Sequence, residues 1–212
     1  MSDIKAASRT RRPASQPDRA RLFDIASEQG GYFTAEQARA SGFSRSLVSH
    51  HVKSSRFIRV RRGLYRFREY PASPREHVLA AWLAVGKDVA VISHESALDL
   101  LDLTDVIPDA VHLTVPRSRR NVLTLPGVKV HTTARAPRSE DVVVRDGIAI
   151  TSATRSILAA AETGTAPEQI EMAVIQAVER GLATPRQLRQ DAVARGRRVA
   201  TLIEEALRRF RQ

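Results

Sequence analysis

Apolar residues return at helical spacing from Asp18 onward. Leu22, Ile25 and Ala26 share one face and Gly30-Gly31 ends the run, which predicts a first helix. Thr34 precedes AEQARA with Gln37 three residues on. That is a capping box, in which the hydroxyl accepts from free N–H groups of a new helix while the Gln side chain reaches back, so a second, short helix is expected to about Ala40. Ser41-Gly42-Phe43 reads as a tight turn, with Gly42 free to take positive φ and Phe43 turned into the core. Ser44 then caps a third helix from Arg45 to about Ser54. Two helices joined by a turn of this length make a helix-turn-helix.

Helical spacing gives way to alternation over residues 56 to 67, RFIRVRRGLYRF, with Arg62-Gly63 between two apolar and basic runs. The pattern predicts strand, turn and strand. One face is expected to bury Ile58, Val60 and either Leu64 or Tyr65. Arg59, Arg61, Arg62 and Arg66 are then left beside the third helix, where a wing meets backbone or minor groove.

Past residue 71 both periods occur. Helical spacing covers Arg75 to Val85, Val89 to Ile92 is a short apolar strand, and Ser93 caps a helix through Leu101. Val111 to Val115, Val128 to Thr132 and Val142 to Val144 alternate as strands. Ser152 caps a helix to about Glu162, Pro167 starts one that ends at Gly181, Thr184-Pro185 opens a short one, and about Arg197 to Phe210 forms the last. The expected fold class is α+β: a winged helix-turn-helix over residues 18–70, then a mixed α/β C-terminal domain over 71–212 that ends in helices. Residues 1–17, with Ser, Ala, Pro, Gln and four basic residues, have almost nothing to bury and are expected to be a disordered basic arm.

On a wheel at about 100° per residue, Arg45, Ser46, Ser49, His50 and Lys53 gather on one side of the third helix. Leu47, Val48, His51 and Val52 gather on the other. The first set can meet phosphates and base edges. With the capping Ser44 and the wing residues, the candidate DNA-binding set is therefore Ser44, Arg45, Ser46, Ser49, His50, Lys53, Arg59, Arg61, Arg62 and Arg66. His51 is expected at the core edge with a local hydrogen-bond partner. Because neighbouring helical side chains diverge by about 100°, a metal shared by His50 and His51 is not expected.

Charge sharpens this reading. Of the net +11, residues 1–70 carry +9 (15 Lys/Arg against 6 Asp/Glu), residues 71–150 carry −1 (9 against 10) and residues 151–212 carry +3 (10 against 7). A segregated excess favours a polyphosphate partner, here double-stranded DNA. A membrane is not expected, since there is no basic amphipathic helix with large apolar residues and no apolar run of roughly 18 residues. The N-terminus lacks the apolar centre of a signal peptide, so the location is expected to be cytoplasmic. The basic loop from Pro116 to Asn121 is read either as a solvated excursion or as a phosphate contact. There is no cysteine and the six histidines are scattered, so no metal and no cofactor is expected.

Ser93-His94-Glu95, with Asp99 and Asp102 downstream, has the residue types of nucleophilic catalysis. Adjacent residues at a helix start point in different directions, however, and there is no G-x-S-x-G elbow. Ser93 is expected as an N-cap, with Glu95 near the positive end of the helix dipole. No P-loop, dinucleotide fingerprint or metal-ligand cluster stands out, and no enzyme is expected.

The segment from Tyr32 to Phe67, with its GYFTAEQARASGFSRSLVSHHV and RVRRGLYRF, resembles the winged-helix domain of AbiEi-type antitoxins and related transcriptional regulators. The resemblance continues in the same order through VISHESALDLLDL (91 to 103), AVHLTVP (110 to 116), PGVKVHTT (126 to 133) and DGIAITSATRSILAAA (146 to 161). It implies an N-terminal domain that binds DNA sequence-specifically and represses its own promoter. It also implies a C-terminal domain that opposes a nucleotidyltransferase-like toxin in a type IV toxin-antitoxin system. The operator can hold inverted repeats, and the protein is read as a monomer or a dimer. Two alternatives stay open: a protein-interaction antitoxin with secondary DNA binding, and a solitary repressor with no toxin partner.

Overall fold

The computed structural model describes residues 16–105, 107–121, 125–134 and 137–210. The expected basic arm falls on residues 1–17, of which 1–15 lie outside the described residues. The chain divides into two compact units, Met1–Pro71 and Ala72–Gln212. The fold class is α+β, a winged helix-turn-helix followed by a mixed α/β unit whose last elements are helices.

The first unit runs α1 (Arg19–Ser27), β1 (Tyr32–Thr34), α2 (Ala35–Ala40), α3 (Arg45–Lys53), β2 (Phe57–Arg61) and β3 (Leu64–Phe67). Local chemistry sets its helix starts. The Asp18 carboxylate accepts from the Arg21 N–H, and the Ser44 hydroxyl accepts from that of Leu47. Thr34 and Gln37 form the full capping box. Gly42 takes φ 81°, which turns the chain so that Phe43 is buried.

Strand β1 was not expected: three residues are too few for alternation to register. It completes an antiparallel sheet of order β1-β3-β2, with β3 in the middle. Phe33, Phe57 and Phe67 pack with Leu22, Ala26, Ala38, Phe43 and Val48 into one core, their rings about perpendicular or tilted.

The hairpin's buried face matches the expected one at Leu64, which is buried, and differs from it along β2. Phe57, paired with Phe67, sets the inward parity of β2, while Ile58 and Val60 are only half-buried. A bulge between Arg59 and Arg61 then shifts the register toward the turn. A phenylalanine with a ring to bury outweighs the smaller aliphatics in choosing the face. At the other end of the sheet, Gly31 sits at φ 85° against the Tyr70 ring. A β-carbon there would fall 2.4 Å from Tyr70 Cβ.

The second unit contains α4 (Glu76–Val85), β4 (Val91–Ile92), α5 (His94–Leu100), β5 (Val111–Pro116), β6 (Val128–Thr133), β7 (Val142–Arg145) and β8 (Ile148–Thr151). It then contains α6 (Ala153–Thr163), α7 (Pro167–Glu179), α8 (Pro185–Val193) and α9 (Arg197–Arg209). The sheet order is β6-β5-β4-β8-β7, parallel at β5/β6 and β4/β8 and antiparallel elsewhere. Strand β8 was not expected. It returns antiparallel to β7 through Asp146-Gly147, both at positive φ (52° and 76°), the two-residue turn that an Asp-Gly pair favours. Helix α5 packs on α6, α6 on α7, and both α7 and α8 on α9. No helix among the described residues is long and apolar enough to cross a membrane.

Candidate nucleic-acid interface

Helix α3 buries Val48 and half-buries Leu47, His51 and Val52, so its other side carries Arg45, Ser46, Ser49, His50 and Lys53 exposed. Ser44 is exposed as well, but its hydroxyl caps the helix and lies 2.9 Å from Ser46 Oγ. In the wing, Arg59 and Arg62 are exposed and Arg61 is half-buried. The wing's turn is tied down, because the carbonyl of Gly63 accepts from the Ala35 N–H at 2.8 Å, at the first residue of α2. The Arg56 N–H donates to the His51 carbonyl at 3.0 Å and joins the end of α3 to β2.

The electrostatics of this surface are one-sided. Residues 41–68 contain Arg45, Lys53, Arg56, Arg59, Arg61, Arg62, Arg66 and Arg68 and no Asp or Glu. Among the described residues, Arg45, Lys53, Arg59 and Arg62 enter no salt bridge. Cations left without carboxylates on a rigid scaffold can meet phosphate without first breaking an internal pair.

Candidate Arg66 differs from expectation in its burial, and the core-side His51 in its hydrogen bonding. Arg66 is only 8% exposed, and its Nη2 donates to the carbonyls of Tyr70 (2.7 Å) and Pro71 (2.8 Å), with the guanidinium 5.8 Å from the Tyr32 ring centroid. It stands on the central strand, in register between Tyr32 and Ile58, so it has neighbours on both sides instead of the open flank that a basic wing residue needs. Arg66 is thus a tether for the chain at residues 70–71 and not part of the exposed basic surface. His51 stands where the wheel placed it, its ring 4.9 Å from that of Phe57 and 5.8 Å from that of Phe43. The expected local hydrogen bond is replaced by these rings, and Nδ1 has no hydrogen-bond partner among the described residues. Burial, then the charges of Arg56, His50 and Arg19, push the His51 pKa below the usual histidine value.

Three histidines that look scattered along the sequence meet in the second unit. His112 and Thr114 alternate onto one face of β5. Parallel pairing with β6 puts Lys129 beside His112 and His131 beside Thr114, so all four share that face. His94 arrives from the end of β4, which neighbours β5. The His94 and His131 rings stack at 3.7 Å and 20°, and His131 Nε2 lies 3.3 Å from His112 Nδ1.

Contrary to the expected divergence of adjacent residues, the Ser93 and His94 side chains touch, Oγ to Nδ1 at 2.8 Å. His94 takes φ 54°, outside the helical region, and so turns back on its neighbour. The Ser93 hydroxyl also accepts from Thr114 Oγ1 at 2.7 Å, so it makes no capping bond to α5; the Ser152 hydroxyl likewise makes none to α6. Burial, then repulsion from His131 and His112, lowers the His94 pKa to about 3. So weak a base does not activate a serine near neutral pH, where a catalytic base needs a pKa close to 7. Glu95 takes no part in this pair: its Oε1 accepts from Thr165 Oγ1 at 2.8 Å and its Oε2 lies 3.6 Å from His112 Nε2.

The basic loop forms a single exposed 3-10 turn, Arg117–Arg119.

Residues 20–68 match a family model described as "Transcriptional regulator, AbiEi antitoxin", which spans nearly the whole helix-turn-helix and wing. Among solved structures, the chain is similar to that of the RV2827C protein from Mycobacterium tuberculosis. The identity is 14% and the TM-score 0.59, over 88% of this chain and 76% of that one. At this identity the likeness is one of fold. No curated protein matches.

Proposed function

We propose that the protein is a sequence-specific transcriptional regulator that binds double-stranded DNA through its first unit. Helix α3 enters the major groove with Arg45, Ser46, Ser49 and His50, and Arg59, Arg61 and Arg62 of the wing, with Lys53, hold the phosphates. One observation carries this reading. Residues 41–68, which supply the exposed side of α3 and the adjoining wing, contain no acid, and among the described residues four of their cations enter no salt bridge. The family match over residues 20–68 supports it independently.

We extend the proposal to autorepression by an antitoxin, with a nucleotidyltransferase-like toxin as partner of the second unit, because the family description joins regulator and antitoxin. The test uses the full chain and the DNA upstream of its own gene. Fluorescence anisotropy over a salt series is expected to give binding whose logarithm falls by roughly 0.9 per phosphate contact against log salt. Equal affinity for unrelated duplexes would sink sequence specificity. Neutralisation of the neighbouring gene's product by a variant carrying Arg45→Ala, Arg61→Ala and Arg62→Ala would show an antitoxin that acts by protein contact alone.

A further inference from the structure

We propose that His94, His112 and His131 form a binding site for one divalent transition-metal ion, zinc foremost, with a fourth position left to water. The three rings each offer one nitrogen, and these atoms lie within 4.8 Å of one another. Two ligands held 2.0–2.1 Å from a tetrahedral zinc stand about 3.3 Å apart. His131 Nε2 and His112 Nδ1 already have that separation, at 3.3 Å, which is longer than an ordinary N–H hydrogen bond.

The outer contacts assign the remaining nitrogens. Ser93 Oγ lies 2.8 Å from Nδ1 of His94, and in the tautomer with Nδ1 protonated it accepts that hydrogen bond and leaves Nε2 as the ligand atom. The Glu95 carboxylate faces His112 Nε2, leaving Nδ1 for the ion. Glu95 is itself steadied by the Thr165 hydroxyl; at 3.6 Å from His112 Nε2 it makes no hydrogen bond there but places a negative charge beside the cation, and a small shift would let it accept from that nitrogen.

His94 supplies an independent sign. It is a non-glycine residue held at φ 54° and 6% exposed, a strained backbone of the kind that persists where surrounding contacts demand a side chain in one place. The stack of His94 on His131 aims their lone pairs along parallel planes, so one ring turns when the ion enters. His131, the most exposed of the three, gives the entry path. A donor set of three imidazoles without thiolate suits zinc, cobalt, nickel or copper and does not suit calcium or magnesium. The bound ion would fasten the start of α5 to β5 and β6.

The experiment takes the full chain, stripped with chelator, and titrates it with zinc and with cobalt(II). One equivalent per chain is expected, with a cobalt d–d spectrum and a raised melting temperature. His112→Gln and His131→Gln should each weaken zinc binding by more than about 100-fold, and Glu95→Gln by roughly 10- to 100-fold. His50→Ala and His51→Ala should leave it unchanged. If a ligand variant fails to fold, the side-chain nitrogen resonances of the unaltered protein decide: zinc must shift those of residues 94, 112 and 131 and not those of His50, His51 and His77. Absence of stoichiometric binding, or binding that survives both glutamine substitutions, would overturn the site.

Discussion

The His51 ring lies 4.9 Å from the ring of Phe57, whereas His50, one residue earlier on α3, is exposed. The rotation of about 100° per residue separates two side chains of identical chemistry into a packing element and a surface group. His51→Ala is therefore expected to lower the stability of the first unit by about 1–2 kcal/mol through lost ring packing. His50→Ala should change stability by less than about 0.5 kcal/mol while weakening binding to the preferred duplex. Thermal melts and anisotropy on the same two variants check this, and equal stability losses would refute the division.

Recognition and docking should separate in the same way. Arg45→Ala or His50→Ala is expected to change the ranking of operator variants by about 1–3 kcal/mol where a base contact is lost. Arg61→Ala or Arg62→Ala should weaken all duplexes alike and reduce the salt slope by roughly one per contact. Competition among mutated duplexes reads the difference, and the opposite pattern would make the wing the reader.

Arg66 should behave as a structural residue. Arg66→Ala removes the donors to the Tyr70 and Pro71 carbonyls, and a loss of about 1–2 kcal/mol is expected, since two part-buried acceptors lose their donor and the packing of the buried arginine stem is lost. With binding measured on the folded fraction, the salt slope should stay as it is. A slope lowered by one would return Arg66 to the phosphate-contacting set.

The histidine cluster makes the metal-free second unit sensitive to mild acid. Burial holds the pKa values of His94, His112 and His131 below 6.5, that of His94 at about 3, and His131 and His112 repel a proton on His94 further. Arg195 and Arg155 add to the effect at His94, and Lys129 adds to it at His112 and His131. Glu95 opposes it at those two, and Asp109 opposes it at His112. The unfolded chain therefore binds protons first as pH falls. The stability contribution is complete above about pH 6.5 and is lost on the way down toward the folded pKa values, by up to about 1.4 kcal/mol per pH unit for each histidine. Melting the chelated full chain between about pH 7 and pH 5 should give a steadily falling midpoint, and a flat profile would contradict the burial argument.

What the sequence determined by itself is local. The Thr34–Gln37 box, the Ser44 cap, the Gly42 turn and the two sides of α3 all depend on residues within about four positions of one another, and each lies where spacing and capping chemistry put it. The Asp146-Gly147 pair is likewise a local hairpin signal, and it is the turn that joins β7 to β8.

Tertiary structure decided the rest, because strand neighbours are chosen by pairing and not by spacing along the chain. Alternation over residues 56–67 was visible, but which face was buried depended on Phe57 meeting Phe67 and on a bulge near the turn. Arg66 was drawn into the sheet's centre by β1, a strand too short to be seen in the sequence. His94, His112 and His131 stand 18 and 19 residues apart, a spacing with no meaning on any one helix or strand. Only the parallel pairing of β5 with β6, beside the β4–α5 junction, turns those intervals into a shared cluster a few ångströms across.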